Sequence, residues 1–220
     1  MARRLHKPGG VPVFPPHDDP ADDCVLARYL ATGPTAHDWP EGFAGGIAHR
    51  LDVQTSGALL VADDPAELTA IRAAFREGAF TKRYRFVAAK DVSWDHNVCE
   101  RPIAHDRRRK RRMVVQRGAT TPHRGRWYPA HTRFRRLDDA LWEAVITTGV
   151  MHQIRVHAAF VGLPLLGDRL YGGGPGGFRL HHVGLSGAGF ATTPVPAPSW
   201  LRSPRAPERG PTPPERGPTR

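Results

Sequence analysis

Residues 58–78, ALLVADDPAELTAIRAAFREG, join an apolar run of strand length to a segment marked as a helix at both ends. Asp64 stands at the N-cap, Pro65 at the first helical position and Glu67 at the third, so the orphan N–H groups of a first turn find acceptors. Gly78 is placed to end the helix. Leu68, Ile71, Ala74 and Phe75 recur on one face, which must be buried, and a sheet is the partner the preceding strand provides. Further strands are read over residues 81–90, with Tyr84, Phe86 and Ala88 on one side, and over Met113 to Gln116, Ala130 to Leu137 and Ala140 to Thr147. A hairpin at Asp138-Asp139 joins the last two. A second helix is expected from Val150 to Phe160, capped by Thr148, ended by Gly162 and stopped by Pro164, with His152 and Arg155 on a shared face. The first 45 residues, rich in Pro, Gly and Asp, read as loops. The pattern is mixed α+β.

At 220 residues the chain has room for one sizeable domain. That domain is expected over residues 1–192. Residues 193–220 read as a disordered Pro/Arg-rich tail, in which PERGPT at 207–212 recurs at 214–219. No apolar stretch approaches the roughly 20 residues of a membrane span, and Pro8 with two glycines interrupts the place of a secretory apolar core. A cytoplasmic location is therefore expected. Cys24 and Cys99 lie far apart and outside any CxxC spacing, so both read as free thiols. The net charge of +11 is concentrated: residues 101–136 hold 13 basic residues against one acid, Asp106, while the remainder is close to neutral. Its centre is Arg107, Arg108, Arg109, Lys110, Arg111 and Arg112, with Trp127 and Tyr128 following. A focused cationic patch attracts a polyphosphate and releases its counterions, so nucleic acid is the expected partner. A solvated basic loop is the plainer alternative. A membrane surface fits less well, because the run lacks an amphipathic apolar face.

Three stretches, HRLDVQTSGALLVA at 49–62, KRYRFVAA at 82–89 and TGVMHQIRVHAAFVGLPLLGDRLYG at 148–172, occur in an order that closely resembles the signature regions of the RluA-like family of RNA pseudouridine synthases. HKPGGVPVF near the start, AHTRF and RLHHVGL extend the likeness over roughly residues 5–190. The resemblance implies a single pseudouridine-synthase-type catalytic domain, with a mixed, largely antiparallel sheet flanked by helices and a central active-site cleft. It implies an isomerase that breaks the uracil–ribose bond, turns the base and rejoins it through a ring carbon, with no cofactor and no metal. RNA, as ribosomal or transfer RNA stem-loops, is the implied partner. DNA is not expected, and a monomer is the default state.

The same resemblance assigns roles. Asp52 matches the catalytic aspartate, acting as a nucleophile or a base. Such a carboxylate must stay ionised away from water, and Arg155 matches the residue that pairs with it. Tyr84 matches the active-site tyrosine, able to stack on uracil. Arg50 matches an arginine associated with the flipped nucleotide. His49, Thr55 and His152 are further substrate-binding candidates, together with the basic run. Lys7 is read as structural or as a phosphate contact. His152 and His157, five positions apart, point in different directions and lack the intervening carboxylate of a zinc motif.

The chain also departs from the family pattern. Val150-Met151 stand where Arg-Thr is usual and Ala158 where leucine is common, and the strand before Lys7-Pro8 is expected to be absent or cut short. No room is expected for an appended N-terminal RNA-binding domain, which makes the 101–136 segment a candidate substitute. Two other functions remain open: a catalytically silent RNA-binding or ribosome-assembly protein, and a hydrolase using Asp52 and His152.

Overall fold

The computed structural model describes residues 3–16, 23–192 and 195–202. In chain order the elements are β1 (Arg3–Lys7), α1 (Val25–Leu30), a 3₁₀ turn (Ala44–Gly46), β2 (Ser56–Val61), α2 (Pro65–Arg76), β3 (Thr81–Val87) and β4 (His96–Cys99). There follow β5 (Ile103–Asp106), β6 (Met113–Val115), β7 (His123–Tyr128), β8 (Thr132–Arg136), β9 (Leu141–Ile146), α3 (Gln153–Phe160), β10 (Leu180–Gly187), β11 (Phe190–Ala191) and α4 (Ser199–Arg202). The large sheet runs β1-β2-β10-β3-β9-β8-β4, with β11 paired to β10, and a smaller sheet runs β6-β5-β7. Every pairing is antiparallel except β2 with β10. The fold is mixed α+β, as the sequence indicated.

Local signals explain α2 completely. The Asp64 carboxylate accepts from Glu67 N–H at 2.8 Å, Pro65 opens the helix and Gly78 follows it at φ 69°. Leu68, Ile71 and Ala74 are buried against Leu60, Phe80 and Leu185. The larger core lies on the other face of the sheet, where Leu59, Phe86, Phe134 and Trp142 cluster with Ile154 and Ala158 of α3. The parallel contact of β2 with β10 depends on Gly57. At φ 138° its backbone passes so close to His182 that a β-carbon would fall inside contact distance of the His182 carbonyl oxygen.

Several expectations change. The segment before residue 45 holds β1 and α1, so β1 fills the place where a strand was expected to be missing or shortened. α3 begins at Gln153 rather than Val150, and Thr148 is not its cap. The Thr148 hydroxyl instead donates to Gln153 Oε1 at 2.9 Å, while His152 holds the N-cap position in the left-handed conformation, φ 55°. The chain also remains folded past residue 192: α4 packs Trp200 and Leu201 against Val87, Leu141 and Leu166. Residues 203–220, most of the expected disordered tail, lie outside the described residues. Both cysteines are free and buried, and Cys24 Sγ accepts from Ala27 N–H to cap α1.

Candidate active site

Asp52 sits on a tight turn that feeds β2, closed by Thr55 N–H donating to the Asp52 carbonyl at 3.0 Å. A fully buried cation fixes that turn. Lys7 Nζ donates to the carbonyls of Pro8 (3.0 Å), Val53 (2.8 Å) and Thr55 (2.6 Å), so the end of β1 grips the turn from below. Burial lowers the Lys7 pKa to about 8, and the nearby Asp52 charge opposes that shift. The structural reading of Lys7 is the one this geometry fits.

Arg155 meets Asp52 across 103 residues of sequence, Nη1 to Oδ2 at 3.3 Å. Its shorter bonds go elsewhere. Nε and Nη2 form a two-pronged pair with Asp168, at 2.7 and 3.0 Å, and Asp168 is only 1% exposed. Arginine presents a planar fork, so one edge can be locked on Asp168 while a remaining N–H reaches Asp52. The guanidinium also lies 5.2 Å from the ring centres of Tyr171 and Phe178. Burial works against its charge, but Asp168 and then Asp52 outweigh burial and raise its pKa.

His152 approaches the same Asp52 oxygen, Nε2 to Oδ2 at 3.8 Å, and its Nδ1 lies 3.0 Å from the Tyr171 hydroxyl. That hydroxyl accepts from Met113 N–H at 2.8 Å. Burial holds the His152 pKa below its ordinary value, against the pull of Asp52, so the ring is neutral at neutral pH. With Tyr171 donating to Nδ1, the remaining ring proton sits on Nε2 and faces the carboxylate. The left-handed backbone at His152 aims the ring this way, an unusual conformation for a side chain of this size. An open cleft of about 430 Å³ borders Gln54, Arg155, Asp168 and Phe178, beside this cluster.

Tyr84 lies on the buried face of β3, its ring 4.6 Å from that of His182. Burial, then the Asp52 charge, push its phenol well above the ordinary range, so it stays protonated. Its hydroxyl makes no hydrogen bond among the described residues. Arg50 is exposed beside the Asp52 turn. Two other candidates are engaged elsewhere in the fold. His49 Nε2 accepts from Leu60 N–H at 3.1 Å and its ring packs on Phe75 and His182, while Thr55 is 2% exposed and contributes its backbone to the Lys7 clamp.

Arg107, Arg108, Arg109, Lys110 and Arg111 are exposed on the turn between β5 and β6, which Asp106 organises by accepting from the Arg108 and Arg109 N–H groups. Arg112 is half-buried, 5.7 Å from the Tyr171 ring centre. The neighbouring β7 adds a His123–Trp127 ring contact and Arg126 over Tyr128. Arg135 and Arg136 are occupied within the fold: Arg135 pairs with Glu143, and Arg136 binds Asp91, Asp95 and the Val92 and Trp94 carbonyls. His157, buried in α3, lies 2.8 Å from Thr132 Oγ1 through one ring nitrogen and 2.8 Å from the Arg101 carbonyl through the other. Asp168 and Tyr171 had no sequence-based role. The available signal was a lone acid and a tyrosine in LPLLGDRLYGG, a stretch that apart from Arg169 is otherwise apolar and glycine-rich.

Asp52, met by an arginine that is itself locked on Asp168 and flanked by His152, is thus the candidate reactive carboxylate of an α+β domain. Residues 4–160 match the family described as RNA pseudouridylate synthase. Among sequence relatives, ribosomal large subunit pseudouridine synthase D of Yersinia pestis is 36% identical over 176 residues, covering 78% of this chain and 50% of the relative. The chloroplastic RNA pseudouridine synthase 2 of Oryza sativa is 35% identical over 131 residues, 58% of this chain and 29% of that one. The solved structure of human RNA pseudouridylate synthase domain containing 4 superposes with a TM-score of 0.65 at 21% identity, covering 90% of this chain and 86% of the other. This chain belongs to the RNA pseudouridylate synthase family, in agreement with its resemblance to RluA-like members. It spans half or less of the length of these sequence relatives.

Proposed function

We propose that this chain is an RNA pseudouridine synthase that isomerises uridine in structured RNA without a cofactor, acting as a cytoplasmic monomer on ribosomal or transfer RNA. The observation that carries the proposal is Asp52 at 3.3 Å from an arginine whose other edge is already neutralised by Asp168. Were Arg155 free, it would close on Asp52 in a two-pronged pair and quench it. Locked on Asp168, it offers Asp52 one N–H and leaves the second carboxylate oxygen open to substrate.

In the reaction a uridine leaves the RNA stack and its base lies against Tyr84. Arg50 supports the extruded state from the rim. Asp52 attacks the ribose or the base, or removes a ribose proton, as the bond between C1′ and N1 breaks. The uracil turns, C1′ bonds to C5, the C5 proton is lost and N1 is left protonated, so no net redox change occurs. His152, neutral and with Nε2–H toward Asp52, steadies the carboxylate. Relatives named for the ribosomal large subunit favour ribosomal RNA as the target.

Incubation with total RNA followed by pseudouridine mapping tests this reading, with Asp52→Ala as the blank. New pseudouridine with wild type alone is expected. Binding without product in both proteins would favour a silent RNA-binding module, and release of free uracil would indicate a hydrolase. The exposed run Arg107 to Arg111 is assigned to RNA backbone contact. Replacing these five residues by glutamine should weaken binding and flatten its salt dependence, by a slope of about 0.7 to 0.9 for each phosphate no longer neutralised. Equal affinity across salt would remove the run from the interface.

A further inference from the structure

Tyr84 shares its face of β3 with a second polar side chain. Lys82, two positions earlier, is 9% exposed. Its ammonium lies between α2 and the turn ahead of α3: it is 5.5 Å from the Phe75 ring centre, and a β-carbon added at Gly149 would lie 3.1 Å from Nζ. Among the described residues no carboxylate pairs with this nitrogen and no acceptor bonds to it. Its nitrogen is nevertheless not among the unpartnered side-chain atoms sealed from solvent. The nearby titratable groups His49 and His182 can carry no negative charge, and burial, together with this lysine, drives both toward their neutral forms. Burial brings the lysine itself to a pKa of about 8, so it is mostly charged near neutral pH.

A cation withdrawn from water without a partner is costly, and a ligand that carries its own negative charge removes the cost. Two residues of strand separate Lys82 from Tyr84 by about 7 Å, the scale of one nucleotide. Gly149 matters here because any side chain at that position would crowd the ammonium and obstruct an incoming anion. We propose that Lys82 is an anion subsite beside Tyr84, receiving the RNA phosphate next to the uridine that stacks on that ring. This inference rests on the uridine-modifying function proposed above.

The test is the affinity of a fluorescent uridine decamer over a range of salt, for wild type, Lys82→Met, Lys82→Arg and Gly149→Ala. Lys82→Met is expected to bind about tenfold more weakly, with a log–log salt slope shallower by about 0.7, the value for one neutralised phosphate of a single strand. Lys82→Arg should retain the wild-type slope. Gly149→Ala keeps every charge and should still weaken binding by obstruction. Wild-type affinity and slope in Lys82→Met would overturn the subsite. Should circular dichroism show that Lys82→Met is unfolded, unchanged binding by Gly149→Ala would overturn it instead. Pseudouridine formation, followed in parallel, separates the two claims. A wild type that makes pseudouridine while Lys82→Met binds normally loses only the subsite; a wild type that binds through Lys82 but makes no pseudouridine loses only the function.

Discussion

Replacing Arg155 by methionine is expected to cost about 3–5 kcal/mol of stability and to abolish turnover, because it strands a buried carboxylate. Asp168 is 1% exposed and takes two hydrogen bonds from Arg155, so the variant leaves an uncompensated charge where water cannot reach it. Methionine retains much of the packing on Tyr171 and Phe178, which isolates the effect of charge from the effect of volume. Adding Asp168→Asn removes the stranded charge as well. The double variant should regain most of the missing stability in denaturant unfolding and still make no product. Recovery of turnover along with stability would show that Arg155 serves the fold alone.

A second large effect is expected in acid. His181 and His182 are buried, and burial lowers each to a pKa of about 4; the His49, His152 and His157 values are lowered by burial too. Below the ordinary histidine value of about 6.5 the unfolded chain takes up protons that the folded chain refuses, so stability falls as pH drops. The decline begins near pH 6.5 and is complete for His181 and His182 below about 4, on the order of 3 kcal/mol for each. Denaturant midpoints at pH 7, 5.5 and 4.5 would record it. His181→Gln, which can still bond the Ser56 hydroxyl, should flatten the profile. A curve that stays level between pH 6.5 and 4 would mean these rings are not held neutral.

The elements legible from the residues are those whose causes are local. α2 has its cap, proline and terminal glycine within 15 residues, and the β8–β9 hairpin has Asp138 accepting from Leu141 N–H at its turn. β10 was missed for the opposite reason. Its LHHVGL run places two histidines inside the core, and each takes a partner from β2: the Ser56 hydroxyl meets His181 from 125 positions away and the Ala58 carbonyl meets His182 Nδ1 from 124. No periodicity reports such partners. The start of α3 was misplaced because His152 adopts a left-handed backbone, a conformation that propensity does not assign to histidine ahead of a helix.

The site divides in the same way. Asp52 and Arg155 were found through three ordered motifs, and they do meet. Asp168 was not, although it takes the two shortest bonds of that arginine, because a lone acid between glycine and arginine looks like any turn residue. Thr55 and His49 lie within the first motif, yet the Thr55 backbone carbonyl belongs to the Lys7 clamp and the His49 ring accepts from Leu60 N–H of β2. Proximity in sequence to a reactive group did not predict contact with it, because Asp52 sits on a tight turn that Thr55 N–H closes before the chain enters β2.

The decisive trial is a single-turnover reaction on an RNA that the wild type modifies, run with Asp52→Asn at enzyme excess, with bound RNA measured in the same samples. The amide keeps the shape of the side chain and can still face Arg155, but it carries no charge and is neither nucleophile nor base. Unimpaired RNA binding with no detectable pseudouridine is the predicted result. Isomerisation at a rate within a few-fold of wild type would place the chemistry on another residue.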